Sequence, residues 1–299
     1  MKRPAIPLLA TLTLLFSSLA CALAPRIRDL DISVPTIEVG EDREETHRFP
    51  LAGAESASLA TVFGAGRLHL SAGAPDDLLS GVFRYNVPAW APEIEHQGNT
   101  LTVRQGGDEG RWGIPSGNVR NRWELEVSPL VPVDLNLKAG AGEGVLDLTG
   151  LQIAALDLNL GAGAFVLRFD EPNQTAMDHL TLDAGASKLD LIGLGNASPA
   201  TMRLQGGVGD IQVDLTGPWA QSAEIEIRAG AGALALRLPD DVGVQVEVRK
   251  GLANVDAYGL RQMGTTYTND LFGETETELD IDVIAGVGTI RLIVEGAID

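Results

Sequence analysis

The chain has a single cysteine, Cys21, among 299 residues. No disulfide can form within it, and one thiol is too little for a thiolate zinc site. Packing and hydrogen bonds alone must hold the fold. Aromatic residues are scarce at 5 %, so the interior must be built from aliphatic and small side chains. The four histidines, His47, His69, His96 and His179, are scattered, and no His-x-His or His-Glu-x-x-His pair offers the spacing of a zinc site. Basic charge is short as well. Lys and Arg number 22 against 41 Asp and Glu, for a net charge of −19. That balance repels nucleic acid and anionic headgroups and attracts basic partners and cations. No Gly-x-Ser-x-Gly elbow occurs, so the usual serine-hydrolase signature is missing. Long apolar runs are missing too, apart from Ile6 to Leu19, which is too short to span a bilayer comfortably.

That one run is an address. Lys2 and Arg3 precede it, and the small residues Ala20, Cys21, Ala22 and Ala24 follow close behind, which is the plan of a secretory signal peptide. Residues 1–22 are read as the signal. Cleavage after Ala22 would release a soluble chain. Alternatively, Ser18-Leu19-Ala20-Cys21 resembles a lipobox, although Ser18 stands where an aliphatic residue is preferred, and Cys21 then becomes the lipid anchor. Residues 23–50 read as an acidic linker carrying Glu38, Glu41, Asp42, Glu44 and Glu45, with one alternating stretch at Leu30 to Val34.

Residues 51–133 read as a small β domain. Ala60 to Leu70 alternates around Gly64 and Gly66. Glu93 to Gln105 reads as a hairpin bending at Gly98-Asn99. Trp123 to Val127 alternates again. Three of the four tryptophans, Trp90, Trp112 and Trp123, lie in this segment. Tyr85 and Trp90 form the candidate aromatic patch for a sugar or peptide, with core packing as the plainer account.

Residues 134–299 repeat. Seven copies of an apolar-x-apolar pair end on the turn glycines Gly140, Gly163, Gly185, Gly207, Gly230, Gly251 and Gly286, spaced 23, 22, 22, 23, 21 and 35 residues apart. The last gap is one period plus an insertion near Arg261 to Glu278. Apolar residues at i and i+2 turn one face of a strand inward. A glycine corner then redirects the backbone, and a second alternating run returns an apolar face to the same core. One such coil cannot bury its core alone, but a stack can. The fold class expected is all-β: the small N-terminal domain followed by a Gly-punctuated parallel β-solenoid of about 22 residues per coil. An antiparallel β-sandwich with a glycine turn in each hairpin is the alternative. The final strand, Ile293 to Ile298, leaves the last coil uncapped unless the insertion folds over it.

Phe83-Arg-Tyr-Asn-Val-Pro-Ala-Trp-Ala-Pro92 and Leu101-Thr-Val-Arg-Gln105 resemble the N-terminal domain of the bacterial toast-rack family, and Gly66 to Gly73 and Leu78 to Val82 fit the same domain. The glycine-punctuated repeats resemble the adhesin-like solenoid that follows it, shared with the Lia-type cell-wall stress regulators. The resemblance runs from about Leu51 to the C-terminus. It implies an all-β envelope protein with a regulatory part in sensing wall damage and no enzymatic one. Those regulators carry several transmembrane helices before the β domain, whereas this chain has only the signal peptide.

Other constellations read as structure. Gly140-Ala-Gly142 and its repeats lack the long helix a phosphate-cradling loop needs. Gly206-Gly-Val-Gly-Asp210 resembles a calcium-binding roll turn but occurs once. The acidic pairs Asp76-Asp77, Asp108-Glu109 and Asp240-Asp241 lie in separate turns. Glu224 and Glu226 share the outer face of a strand, the arrangement a polysaccharide-degrading solenoid would use. The expected function is a non-catalytic extracytoplasmic binding or scaffold protein of the cell envelope, secreted or anchored outside the membrane, linked to wall stress by the resemblance. No cofactor or metal is called for. The partner is an envelope protein or a glycan, not a nucleic acid. A self-associating adhesin-like module, joined through the terminal coil at Ile293 and Val294, is the alternative. A carbohydrate-active enzyme is a third reading.

Overall fold

The computed structural model describes residues 36–107, 114–115 and 118–297. Its strands are β1 (Thr36–Ile37), β2 (Arg43–Pro50), β3 (Ala57–Ala72), β4 (Asp77–Tyr85), β5 (Pro92–Gln97), β6 (Thr100–Gln105), β7 (Ile114–Pro115), β8 (Asn121–Val127), β9 (Pro132–Asp147), β10 (Gln152–Arg168), β11 (Met177–Ile192), β12 (Pro199–Asp214), β13 (Ala223–Leu238), β14 (Gly243–Tyr258), β15 (Arg261–Met263), β16 (Thr266–Thr268) and β17 (Glu278–Val294). Helix is confined to single turns at Pro88–Trp90 and Leu194–Ala197 among the described residues.

Eight long strands stack as parallel rungs, in the order β3, β9, β10, β11, β12, β13, β17, β14. The chain is therefore a β-solenoid, and the antiparallel sandwich is set aside. Eight rungs at the usual strand spacing make a stack roughly 34 Å tall. Each rung is bent at its glycine corner into a first and a second arm. The two arms and the segment joining one rung to the next enclose the core. One inward column shows how the sequence builds it: Leu59, Leu135, Leu156, Leu180, Met202, Ile225, Ile281 and Val246 lie in register, and all are buried. Aliphatic side chains suit such columns because identical positions must pack directly over one another.

The corner explains the glycines. Gly163 has φ 151°, a region that side chains other than hydrogen rarely occupy. A Cβ there would also collide with the carbonyl oxygen of Gly142 on the rung below. Two features of the repeat differ from the sequence expectation. In β10 the counterpart of Leu135 is Leu156, not Leu158, so Gly161 rather than Gly163 stands over Gly140. Leu156-Asp-Leu-Asn-Leu160 offers two equivalent apolar-x-apolar frames, and an irregularity between Ile153 and Ala155 selects the first. The second difference is the order of the last rungs. The C-terminal strand β17 slides between β13 and β14, so Ile293 and Val294 lie inside the stack. Ile293 pairs with Arg237 on one side and Tyr258 on the other.

The first rung, β3, comes from the tryptophan-containing segment, which also closes that end. Strands β6 and β8 pair in parallel with the first and second arms of β3, as a rung split in two. Strand β5 adds to β6, and β4 then β2 add beyond β8, all antiparallel. Trp123 is buried between Phe63 and Phe83, with ring centroids 5.2 and 5.0 Å away in edge-on geometry. This is an aromatic cluster within a mostly aliphatic core, whose other buried aromatics include Phe165, Phe169 and Trp219.

Candidate functional site

The outer faces of the rungs carry the charge. On β13, Glu226 accepts hydrogen bonds from Arg203 Nε at 3.1 Å and Arg228 Nε at 2.6 Å. These guanidiniums, Arg228 foremost, hold its carboxyl below the ordinary carboxylate range. A glycosidase acid needs the opposite shift, so that it keeps a proton to donate. Glu226 is thus built as an ion-pair partner. On the N-terminal cap, Arg84 spans Glu44 and Glu124 at 2.7 Å each. The Glu124 carboxyl is lowered in turn, mainly by its bond to Arg84. His179 lies between Asp178 at 3.1 Å and Asp157 at 3.4 Å. Its pKa is raised, first by the bond to Asp178 and then, against partial burial, by Asp157. An open polar depression beside it is lined by Asn136, Lys138, Asp157, Asn159, Thr181 and Asp183.

The residues singled out from the sequence fall as follows. Cys21 lies outside the described residues. Tyr85 is buried, and its hydroxyl donates to the Glu45 carboxylate. Burial and that bond push the Tyr85 pKa up, while the hydroxyl lowers that of Glu45. Trp90 is half-buried in the turn after Val87, and Trp112 lies outside the described residues. Gly140, Gly185, Gly207, Gly230, Gly286 and Gly251 share the first corner position, and Gly163 occupies the second. No group of three or more His, Cys, Asp or Glu among the described residues is placed to hold a metal ion.

The two ends of the stack are not alike, and this asymmetry is the most distinctive feature of the surface. At the β3 end both arms are covered, and side-chain amides fill the gap where the split rung has no corner. Gln105 Oε1 accepts from the Gly64 amide at 2.9 Å, and Asn121 Nδ2 donates to both Gln105 Oε1 at 2.8 Å and the Ala65 carbonyl at 2.7 Å. At the other end, β16 pairs antiparallel with residues 245–247 of β14, and β15 pairs with β16. Asn269 adds a bracket: its Oδ1 accepts from the Val244 amide at 2.9 Å and its Nδ2 donates to the Val242 carbonyl at 2.7 Å. The insertion does fold over the terminal rung, but that rung is β14.

The cover stops there. The second arm of β14 pairs with β17 on one side and with no other described strand. Its inward residues Val255 and Ala257 are only partly buried, whereas their register partners Ile290 and Leu292 are fully buried. At its corner Leu252 is 83 % exposed, beside Val287 at 55 % on the next rung. Met263 of β15 is 76 % exposed at the same end. Sequence reasoning named Gly251 here but passed over its neighbours. The signal was present: Lys250-Gly251-Leu252-Ala253 stands where Ala285-Gly286-Val287-Gly288 and Ala229-Gly230-Ala231-Gly232 stand in the rungs below.

A family model described as the N-terminal domain of toast_rack, DUF2154, matches residues 38–192 and 172–237. Among curated proteins, none matches. Among solved structures, a provisionally assigned cell adhesion protein from Clostridium sporogenes is similar at 22 % identity and a TM-score of 0.47, covering 85 % of this chain and 100 % of that one. A provisionally assigned adhesin from Bacteroides fragilis follows at 8 % identity and 0.36, covering 86 % and 99 %. A provisionally assigned lipid binding protein from Parabacteroides distasonis has 9 % and 0.35, with the same coverage. With the family model spanning well over half of its length, the chain belongs to the toast-rack family.

Proposed function

We propose that this protein is a non-catalytic extracytoplasmic binding or scaffold module of the bacterial envelope, which presents the half-open end of its stack to a partner. The observation that carries the reading is the second arm of β14, which pairs with β17 alone among the described strands and is flanked by outward Leu252 and Val287. A strand edge with free backbone donors and acceptors, next to apolar surface, is the usual platform for strand addition. The leader, Lys2 through Ala22, supports export. The resemblance to Lia-type regulators supports a link to wall stress.

The test is a paired assay on the exported chain with purified cell-wall glycan and with envelope protein fractions. The expected result is saturable binding without turnover, reduced by Leu252→Asp. Saturable glycan hydrolysis that is lost with Glu224→Gln or Glu226→Gln would overturn the proposal.

A further inference from the structure

The open arm raises the question of why copies of the chain do not join there. Two other edge strands, β2 and β5, are lined with charge: Arg43, Glu44, Glu45 and Arg48 on one, and Glu93 and Glu95 on the other. Charged edges resist pairing. The second arm of β14 is less protected, carrying Val255, Ala257 and Tyr258 with Asp256 as its one charged residue. A second copy offers the same arm, so two copies related by a two-fold axis could lay these arms side by side.

One column of the core argues that this contact is blocked. Just before each corner the inward position is held by Phe63, Ala139, Leu160, Ala184, Gly206, Ala229 and Ala285, in register through seven rungs. In the eighth rung the same position is Lys250, paired with Ala285. Phe63, Ala139, Leu160, Gly206 and Ala285 are buried, while Lys250 is exposed and has no ion pair among the described residues. A lysine in this column of otherwise uncharged residues is tolerated only at the last rung, where its ammonium reaches water. An arm added over this corner would strip that water and leave the charge unpaired.

We propose that Lys250 is the stop residue of the stack, which keeps a second copy of this chain from adding to the open arm of β14. The inference rests on the rung order and holds whether or not the envelope role is right.

Sedimentation velocity of the exported chain over a wide concentration range tests it. The natural protein should be a monomer. Lys250→Ala, which installs the residue of four lower rungs, should associate, with a dimer dissociation constant lower by about 100-fold or more. Adding Val255→Lys to that variant should restore the monomer, because it places a new charge on the same arm. A natural protein that already dimerises through this arm overturns the proposal. So does a folded Lys250→Ala variant that stays monomeric at the highest concentration, or an association that Val255→Lys leaves untouched. Circular dichroism on each variant separates misfolding from assembly, and Lys250→Arg, which keeps the charge, should remain monomeric.

Discussion

Gly163→Ala is the sharpest probe of how the stack is held. Gly163 sits at φ 151°, in a region essentially closed to other residues, where strain is of order 1–3 kcal/mol. The added methyl group also meets the carbonyl oxygen of Gly142. Relief requires β10 to move off β9 at the corner, weakening one or two ladder hydrogen bonds at about 1 kcal/mol each. The sum is about 2–5 kcal/mol, a large share of the 5–15 kcal/mol typical of a folded domain. Gly150→Ala is the control. Gly150 also has positive φ, 77°, but nothing lies within 4 Å of its Cβ position, so only the left-handed penalty of about 1–2 kcal/mol applies. Urea unfolding followed by circular dichroism gives both midpoints, with unchanged m-values showing that the same transition is compared. Amide exchange at the corners of β9 and β10 shows whether the loss is local, since rungs interact chiefly with their neighbours. Equal costs for the two variants would refute the argument, for they would mean that close stacking of the corners contributes nothing beyond backbone strain.

Three further outcomes follow from single residues. Ser187 takes the place of Gly163 on the next rung, and its hydroxyl is buried without a partner among the described residues. Ser187→Ala should raise stability by about 1 kcal/mol, and a loss in urea unfolding would mean that the hydroxyl is satisfied after all. Asn269→Ala removes the bonds to Val244 of β14 and to Val242 just before it and should cost about 2–4 kcal/mol by leaving two buried backbone groups unpaired; unchanged exchange of the Val244 amide would contradict this. The raised pKa of His179 makes its contribution fully present below the ordinary histidine pKa and lost as pH rises through the higher folded value. For so exposed a group the effect is below about 1 kcal/mol. An NMR titration should place His179 above the ordinary range, and Asp178→Asn should bring it down; a midpoint insensitive to that substitution would refute the assignment.

Much of the architecture can be read without coordinates because the physics of one rung is local. Alternation in Leu135-Asn-Leu137 and the corner Gly140-Ala-Gly142 demand an inward face and a bend wherever they occur. What could not be read is what depends on non-local choice. Ile281-Asp-Val283 and Val246-Glu-Val248 have the same pattern, so periodicity cannot say which lies deeper in the stack. The long gap before Gly286 could be read as one period plus an insertion, but it could not show that the inserted hairpin would pair with β14 and hold it outermost. The frame of β10 was ambiguous for the same reason, since Leu156, Leu158 and Leu160 fit the inward rule equally well. The aromatic residues divided by context: Trp123 went to the core with Phe83, and Tyr85 turned its hydroxyl to Glu45, a pairing between distant strands that spacing does not encode.

The inserted last strand has a consequence for where recognition can occur. At the β3 end, closure uses a split rung, added antiparallel strands and the amides of Gln105 and Asn121. At the β14 end, closure covers one arm only, through a hairpin that lies between β14 and β17 in the chain. The second arm of β14 is held to the stack through β17 alone, and a rung with one neighbour has about half the cross-strand support of an interior one. It is therefore the rung expected to open first. An interior rung could exchange partners only by breaking two ladders, whereas this arm can gain one without breaking any. Backbone availability, exposed Leu252 and the charge of Lys250 thus coincide at a single place, the one at which we propose that a partner is admitted and a copy of the chain refused.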